Sequence, residues 1–227
     1  SACDTYKVDL VGGDTSSSLS GLVLTITALG KVGANEVVKR SGAKPNDLIC
    51  VTGDLGGAYM GLQVLEREKK VFQDAPGVQP ALDGYDYILR RQLKPEARTD
   101  MRTFFEAAGM LPTSMIDISD GLASEILHIT KASGCGCRLY EEKLPVDPMT
   151  IRAAEEFGLD PTTCALNGGE DYELLFTIDQ SDYDKVKGSP HITVIGHITA
   201  ESAGNKLIAR SGTEIDITAQ GWMAFRG

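Results

Sequence analysis

Three acidic turns constrain the fold of this 227-residue chain more than any other feature. Each turn lies at one end of an apolar run that is typical of a β-strand, and each combines glycine with at least one carboxylate. They occupy residues 12–15 (GGDT), 117–121 (DISDG) and 168–173 (GGEDYE). Glycine lets a ligand approach the backbone, whose N–H groups can face a phosphate. Carboxylates supply the oxygen ligands that Mg²⁺ prefers. The pattern therefore indicates strand ends that bind a phosphate and a metal.

Strand and helix signals alternate along the rest of the chain. Apolar runs predict strands at residues 8–11, 22–29, 48–52, 115–118, 138–140, 172–178 and 191–198, and residues 206–217 predict a hairpin. Helices are predicted at residues 58–69, 96–108, 122–132, 148–157 and 181–187. This alternation is typical of an α+β or mixed α/β protein. Residues 71–93, which are rich in Pro and Gly, are predicted to link two parts of the chain.

Composition and charge limit the classes of partner. The net charge of −10 disfavours nucleic acid, because binding a phosphate backbone needs a surplus of Lys and Arg. An acidic protein can still hold a small phosphorylated ligand if divalent cations lie between the two. The five cysteines include no C-x-x-C pair, which favours reduced thiols and a cytoplasmic protein. No apolar run approaches the length of about 18 residues that a membrane helix needs, so no membrane partner is expected.

Each of these signals also has a purely structural interpretation. An Asp before Gly is usually a turn residue or a helix N-cap, so one acidic turn alone would favour a structural role. Three such turns in one chain favour a shared function, although spacing alone does not establish that they converge. Arg40 could form a surface ion pair, and Trp222, the only Trp, could anchor the end of the chain.

Four segments carry a family resemblance: VDLVGGDT, RSGAKPNDLICVTGDLG, MIDISDGLA and NGGEDYELLFT. They resemble thiamine-monophosphate kinase, which belongs with aminoimidazole ribonucleotide synthetase, selenophosphate synthetase and a hydrogenase maturation factor. The resemblance implies a two-domain fold of the aminoimidazole ribonucleotide synthetase type with an incomplete first domain. Residues 1–33 would be the remnant of an N-terminal ATP-binding and dimerisation domain, and residues 34–227 a C-terminal α+β domain. A homodimer is expected.

The resemblance also assigns roles to individual residues. Gly13, Asp14, Arg40 and Ser119 would bind ATP. Asp14 would also bind magnesium, together with Asp117 and Asp120. Glu170 and Trp222 would bind thiamine monophosphate, and a flat aromatic ring would suit the cationic thiazolium. No residue is assigned as a general acid or base, because metal ions and Arg40 would neutralise the charge.

The expected reaction is transfer of a phosphoryl group from ATP to thiamine monophosphate, by direct in-line attack with Mg²⁺ as cofactor. No G-x-x-x-x-G-K-[ST] motif is present, so a P-loop kinase is not expected. Members of the family carry further metal-binding aspartates in an N-terminal Gly-Asp-Asp-Ala-type loop that this sequence does not show. We therefore expect the polypeptide alone to be weakly active or inactive.

Three alternative functions stay open at this point. The chain could belong to another ATP-dependent enzyme of the same superfamily, which a substrate panel would reveal. It could be a non-catalytic nucleotide-binding or dimerisation module. It could also be a sugar-binding or structural α/β protein, in which replacing Asp14 or Asp117 would have no effect on binding.

Overall fold

The computed structural model describes residues 2–19 and 21–219, and the chain divides into two units between Val37 and Val38. In the first unit, helix α1 (Ala2–Tyr6) is followed by chain in which the structure describes no further helix or strand. The strands predicted at residues 8–11 and 22–29 are absent from the described part of this unit, so that prediction was wrong. A run of β-forming residues becomes a strand only when a neighbour completes its hydrogen-bond ladder, and no described strand pairs with these runs.

The second unit is built on one sheet of seven described strands. The spatial order is β2-β4-β1-β5-β3-β6-β7, and the described pairs are antiparallel except for the parallel pair β3–β6. The strands are β1 (Leu48–Thr52), β2 (Ser114–Asp117), β3 (Cys135–Tyr140), β4 (Leu174–Ile178), β5 (Ile192–Ala200), β6 (Asn205–Ile208) and β7 (Glu214–Asp216). The predicted mixed α and β class is confirmed, as are the strand at residues 48–52 and the C-terminal hairpin.

Helices cover both faces of this sheet. The described helices of the second unit are α2 (Gly57–Asp74), α3 (Asp86–Leu93), α4 (Asp100–Ala108), α5 (Leu122–Ser133), α6 (Pro148–Glu156), α7 (Pro161–Asn167) and α8 (Tyr183–Val186). Short 3₁₀ turns lie at Glu141–Lys143, Gln180–Asp182 and Glu201–Ala203. None of the helices in the described part of the chain has both the length and the apolar character needed to span a bilayer.

The central strands alternate between two apolar clusters. On β1, Ile49 and Val51 pack in the cluster that contains Ile126 of α5, whereas Cys50 packs on the opposite face with Phe105 of α4. Because both faces are covered, β1 and β4 are nearly continuous apolar runs rather than strictly alternating ones. The sheet thus fixes the end of β2, which leads into the second acidic turn, and the beginning of β4, which follows the third acidic turn.

The predicted linker at residues 71–93 was wrong, because α2 and α3 pack tightly against each other inside that range. Ile88 of α3 is fully buried with Met60 and Val64 of α2. A Cβ added to Gly61 would lie 2.1 Å from the carbonyl oxygen of Ile88, so only glycine permits this close approach. The Pro and Gly residues mark only the short connection between the two helices, while the apolar residues after it form a helix.

Candidate active site

The second and third acidic turns lie directly against each other in the second unit. The Ile118 N–H donates to the Glu173 carbonyl oxygen (2.8 Å), and the Tyr172 N–H donates to the Ile118 carbonyl oxygen (2.8 Å). One residue further out, the Glu170 N–H donates to the Ser119 carbonyl oxygen (2.7 Å). These bonds continue the antiparallel pairing of β2 with β4. The two turns that the sequence singled out are therefore one structural unit.

Two glycines make this close approach possible. Gly169 has a φ of +69°, and a Cβ on it would lie 2.6 Å from the Ser119 carbonyl oxygen. Gly121 has a φ of +105°, and a Cβ there would lie 2.6 Å from the Leu166 carbonyl oxygen. Any larger residue would combine a disfavoured backbone conformation with a steric clash. Gly169 is thus required by the contact between the turns, and Gly121 by the contact of the second turn with the end of α7.

The carboxylates of Asp117, Asp120 and Glu170 are exposed around the ring of Tyr172. The Tyr172 hydroxyl donates to Glu170 Oε2 (3.1 Å). Partial burial of the ring raises the pKa of Tyr172, and the negative charges of Glu170, Asp117 and Asp120 raise it further. The three predicted site carboxylates of the second unit therefore act on the same phenol, which indicates that they share one region of the surface.

Ser119 has a partner inside the fold that the sequence did not predict. Its hydroxyl donates to Glu125 Oε1 (3.3 Å), which also accepts the Asp120 N–H (3.1 Å). Glu125 is buried in the first turn of α5, and burial raises the pKa of its carboxyl. A glutamate in the first turn of a helix is a common cap of the preceding backbone, so its position after Asp-Gly was the available signal.

The first acidic turn belongs to the other unit. Gly13 and Asp14 lie in exposed chain outside any helix or strand, where the Asp14 side chain accepts the N–H of Thr15 (2.9 Å). Asp14 belongs to the first unit, whereas Asp117 and Asp120 belong to the second. The metal site formed by these three aspartates therefore stays a prediction. Trp222 lies outside the described residues.

Arg40 is exposed near the beginning of β2. The carbonyl oxygen of the preceding residue, Lys39, accepts the Met115 N–H (2.9 Å). The turn after Arg40 is fixed by the hydroxyl of Ser133, which accepts the N–H groups of Gly42 and Ala43 (both 3.2 Å). These contacts hold the backbone around Arg40 and leave its side chain at the surface.

The donor set suits Mg²⁺ in type, although it does not form a complete protein cage. Within residues 2–19 and 21–219, no three His, Cys, Asp or Glu side chains are grouped so that they could hold a metal ion. Mg²⁺ in phosphate-transferring sites commonly takes one or two carboxylates and completes its shell with water and substrate phosphates. The exposed pair Asp117 and Asp120 fits that requirement.

Two acidic residues of the third turn are buried and serve the fold. Asp171 accepts the N–H groups of Gly56 (2.8 Å) and Ala58 (3.3 Å), and so caps the beginning of α2. Burial raises the pKa of Asp171 to about 6, although these N–H groups and Arg91 oppose the shift. Glu173 accepts the hydroxyl of Thr52 (2.5 Å) and pairs with two arginines. This division of roles could not be predicted from the sequence, because it depends on partners that are distant along the chain.

Comparison with known proteins connects this geometry to a family. The chain is 33% identical over 226 residues to a thiamine-monophosphate kinase of Salmonella typhimurium, covering 97% of this chain and 64% of that protein. It is 36% identical over 227 residues to the thiamine-monophosphate kinase of Escherichia coli O157:H7, again covering 97% and 64%. The chain thus spans less than two thirds of the length of these relatives. No family model matches it.

Solved structures agree with this relationship. AaThiL complexed with AMPPCP and TMP superposes with a TM-score of 0.65 at 29% identity, covering 83% of this chain and 54% of that one. The thiamine monophosphate kinase of Aquifex aeolicus gives a TM-score of 0.60 at 29% identity, over 79% and 54% of the two chains. A hydrogenase maturation protein, HypE, in complex with ATP shares the fold at 15% identity, with a TM-score of 0.58 over 86% and 57%. Along nearly its whole length, the chain is therefore similar in sequence and in fold to thiamine-monophosphate kinases.

Proposed function

We propose that the protein transfers the γ-phosphoryl group of ATP to the phosphate of thiamine monophosphate, giving thiamine diphosphate and ADP. The observation that carries this proposal is the backbone contact between the turns of Asp117–Asp120 and Glu170. This contact brings together the residues that we propose for binding metal and substrate. Support also comes from the relatives named thiamine-monophosphate kinase and from the neighbour that holds AMPPCP and TMP.

The reaction needs alignment and charge neutralisation more than a general base. An anionic oxygen of thiamine monophosphate attacks the γ-phosphorus of ATP in line. The bond between that phosphorus and the β–γ bridging oxygen breaks, and ADP leaves with the electron pair. No proton has to be removed, because the attacking oxygen is already ionised. This is why carboxylates can serve here as ligands and need not act as bases.

The chain's own residues would share the tasks of binding. Asp117 and Asp120, with Asp14, would hold Mg²⁺, which when bound supplies the positive charge that reduces repulsion between the two phosphates. Gly13, Asp14, Arg40 and Ser119 would bind ATP, and the planar guanidinium of Arg40 suits phosphate oxygens.

Glu170 and Trp222 would hold the thiamine part. The exposed carboxylate of Glu170 can attract the cationic thiazolium, and an aromatic ring can stack on it. We further propose a homodimer, and a cytoplasmic location where ATP is available. All five cysteines are free thiols, which suits a reducing compartment.

The test is a substrate panel on the full-length protein with ATP and Mg²⁺. Thiamine diphosphate should form only with thiamine monophosphate, and ADP release with other phosphate or carboxylate acceptors should stay at background. ADP release with a different acceptor would favour another enzyme of the superfamily. Binding of an ATP analogue without any turnover would favour a non-catalytic module.

A pair of variants tests the assignment of Glu170. Glu170→Gln should weaken thiamine monophosphate binding about tenfold or more while leaving binding of an ATP analogue unchanged, because a charge facing a cationic substrate is lost. Glu155→Gln on α6 removes an equally exposed glutamate elsewhere and should change neither. Calorimetry measures both affinities.

A further inference from the structure

The segment at residues 170–173 presents its side chains alternately to solvent and to the interior. Glu170 and Tyr172 are exposed, whereas Asp171 is 2% and Glu173 4% exposed. Glu170 and Tyr172 also have left-handed backbones, with φ of +62° and +52°. Such conformations are disfavoured for these residues and persist only where the surroundings hold them. The contacts of the buried pair, Asp171 and Glu173, therefore determine the orientation of the exposed pair, Glu170 and Tyr172.

Arg91 of α3 makes the contact that reaches this inner pair most directly. Its Nη1 donates to Glu173 Oε1 (2.8 Å), and its Nη2 donates to the Asp171 carbonyl oxygen (3.2 Å). The same Nη2 lies 3.6 Å from Asp171 Oδ1 and donates to the carbonyl oxygen of Asp54 (3.0 Å). One guanidinium thus holds the main chain of the segment and the carboxylate that follows it.

The chemistry of this contact suits arginine in particular. Burial alone lowers the pKa of Arg91, but the carboxylates of Glu173, Asp171 and Asp54 raise it overall, so the group stays charged. A guanidinium holds several donors in one plane, whereas a lysine ammonium is a single point charge. Lysine could keep the attraction to Glu173 without also holding the Asp171 carbonyl oxygen.

Arg98 provides a natural control within the same network. Its Nη1 donates to the other oxygen of the Glu173 carboxylate, Oε2 (2.6 Å), and its side chain is as buried as that of Arg91. Its remaining side-chain bonds go to Asp100 and to the sulfur of Met101. The two arginines therefore share a carboxylate, but they differ in their contact with the segment that carries Glu170.

We propose that Arg91 is a positioning residue for the substrate site. By holding the Asp171 main chain and the Glu173 carboxylate from the inside, it fixes the direction in which Glu170 and Tyr172 point outward. The hydrogen bond from the Tyr172 hydroxyl to Glu170 makes the outer pair move together. The inference rests on the proposed function, because it takes Glu170 as the residue that holds thiamine monophosphate.

The experiment compares Arg91→Met with Arg98→Met in the full-length protein. Arg91→Met should raise the KM for thiamine monophosphate about tenfold, with kcat and the KM for ATP within about twofold of wild type. Arg98→Met should leave all three constants within about twofold, because the Asp171 contact remains. Both variants remove one partner of a buried carboxylate, so both lose stability, and assays are run well below their unfolding temperatures.

A second readout is independent of catalysis. Exchange of the Glu170 and Tyr172 amide protons, which donate to Ser119 and Ile118, should quicken in Arg91→Met and stay near wild type in Arg98→Met. Mass spectrometry of peptides that cover residues 168–173 measures this. If Arg91→Met does not fold, Arg91→Lys keeps the charge beside Glu173 and should still show faster exchange and a raised KM.

These experiments distinguish the positioning role of Arg91 from the proposed kinase activity. Equal KM changes and equal exchange in the Arg91 and Arg98 variants would overturn the positioning role and leave the kinase proposal intact. A wild-type protein that does not phosphorylate thiamine monophosphate would overturn the kinase proposal. The exchange comparison would then still decide whether Arg91 holds the segment.

Discussion

The first acidic turn and the joined pair of later turns begin from the same sequence pattern and reach different structures. At Gly13, an added Cβ would have no atom within 4 Å, whereas at Gly169 it would meet the Ser119 carbonyl oxygen at 2.6 Å. The later turns extend two strands that pair with each other, while the first unit has no described strand. An apolar run followed by Gly-Asp therefore specifies a geometry only where a neighbouring strand completes it.

The apolar residues beside the turns show the same contrast. Ile118, between Asp117 and Ser119, is fully buried, but Leu10 before the first turn is 83% exposed. Burying such a side chain contributes about 1.5–3 kcal/mol, so the later turns rest on a core that the first turn lacks in this chain.

The largest effect is expected when the carboxylates are neutralised. Asp117→Asn in the full-length protein should lower the rate of thiamine diphosphate formation about a hundredfold to a thousandfold, because the proposed Mg²⁺ site would lose a charged ligand. If the first turn serves the same site, Asp14→Asn should lower this rate by about the same factor. The variant that carries both substitutions should then be only slightly slower than either single variant. Chromatography of the product measures the rates.

A matched control is Asp184→Asn, which changes an exposed aspartate on α8 and should leave the rate unaltered. Full activity of Asp14→Asn would separate the first turn from the active site. The similarity between the turns would then be one of sequence alone.

The next largest effect is on stability. Gly169→Ala should lower the free energy of unfolding by about 3 kcal/mol, because it adds both a left-handed alanine and a clash with Ser119. Gly13→Ala should change it by less than about 0.5 kcal/mol. Urea unfolding followed by circular dichroism compares the two. Equal losses would show that the first turn is as tightly held as the later ones.

A smaller effect is expected from the buried charge of Asp171. Its pKa of about 6 in the folded chain exceeds the usual value of 3.8, so between these values the folded state binds more protons than the unfolded state. Its contribution to stability is therefore present at pH 4 and is lost as the pH rises through 6. The stability difference between wild type and Asp171→Asn should shift by about 2 kcal/mol from pH 4 to pH 7.

Urea unfolding at a series of pH values measures this difference. The charged groups that face Asp171 are Arg91 and Asp54, and both remain in the variant, so their own titration cancels to first order. A difference that does not vary with pH would mean that Asp171 stays ionised, held by Arg91 and the N–H groups of α2.

Sequence patterns correctly predicted those strands and helices whose formation depends mainly on their own residues. Residues 48–52 form a strand because four of the five residues are apolar and the run is bounded by turns. The predicted strand at residues 172–178 begins only at Leu174, because Tyr172 adopts a left-handed backbone in the turn. That conformation depends on contacts with the other turn, which no local pattern reveals.

The buried polar partners could not be predicted for the same reason. Glu125 and Arg91 lie on helices whose polar residues are usually exposed, and only the packing of those helices turns them inward. The sequence identified Asp117, Asp120 and Glu170 because each lies at one end of an apolar strand-like run. It could not show that Asp171 and Glu173, in the same motif as Glu170, would serve the fold.

The smallest effect is expected in the first unit. Ile26 is 92% exposed, so Ile26→Ala should change the free energy of unfolding of this chain by less than about 0.5 kcal/mol. The buried Ile126 is the control, and its replacement by Ala should cost about 2–5 kcal/mol. Denaturation at several protein concentrations tests whether a second copy contributes to the stability of this region.

A loss above about 1 kcal/mol for Ile26→Ala that grows with protein concentration would show that a second copy buries residues 22–29. The contrast between the first and the later turns would then reflect assembly. Residues 22–29 would pair with a strand of a second copy, whereas residues 114–117 pair with β4 of the same chain.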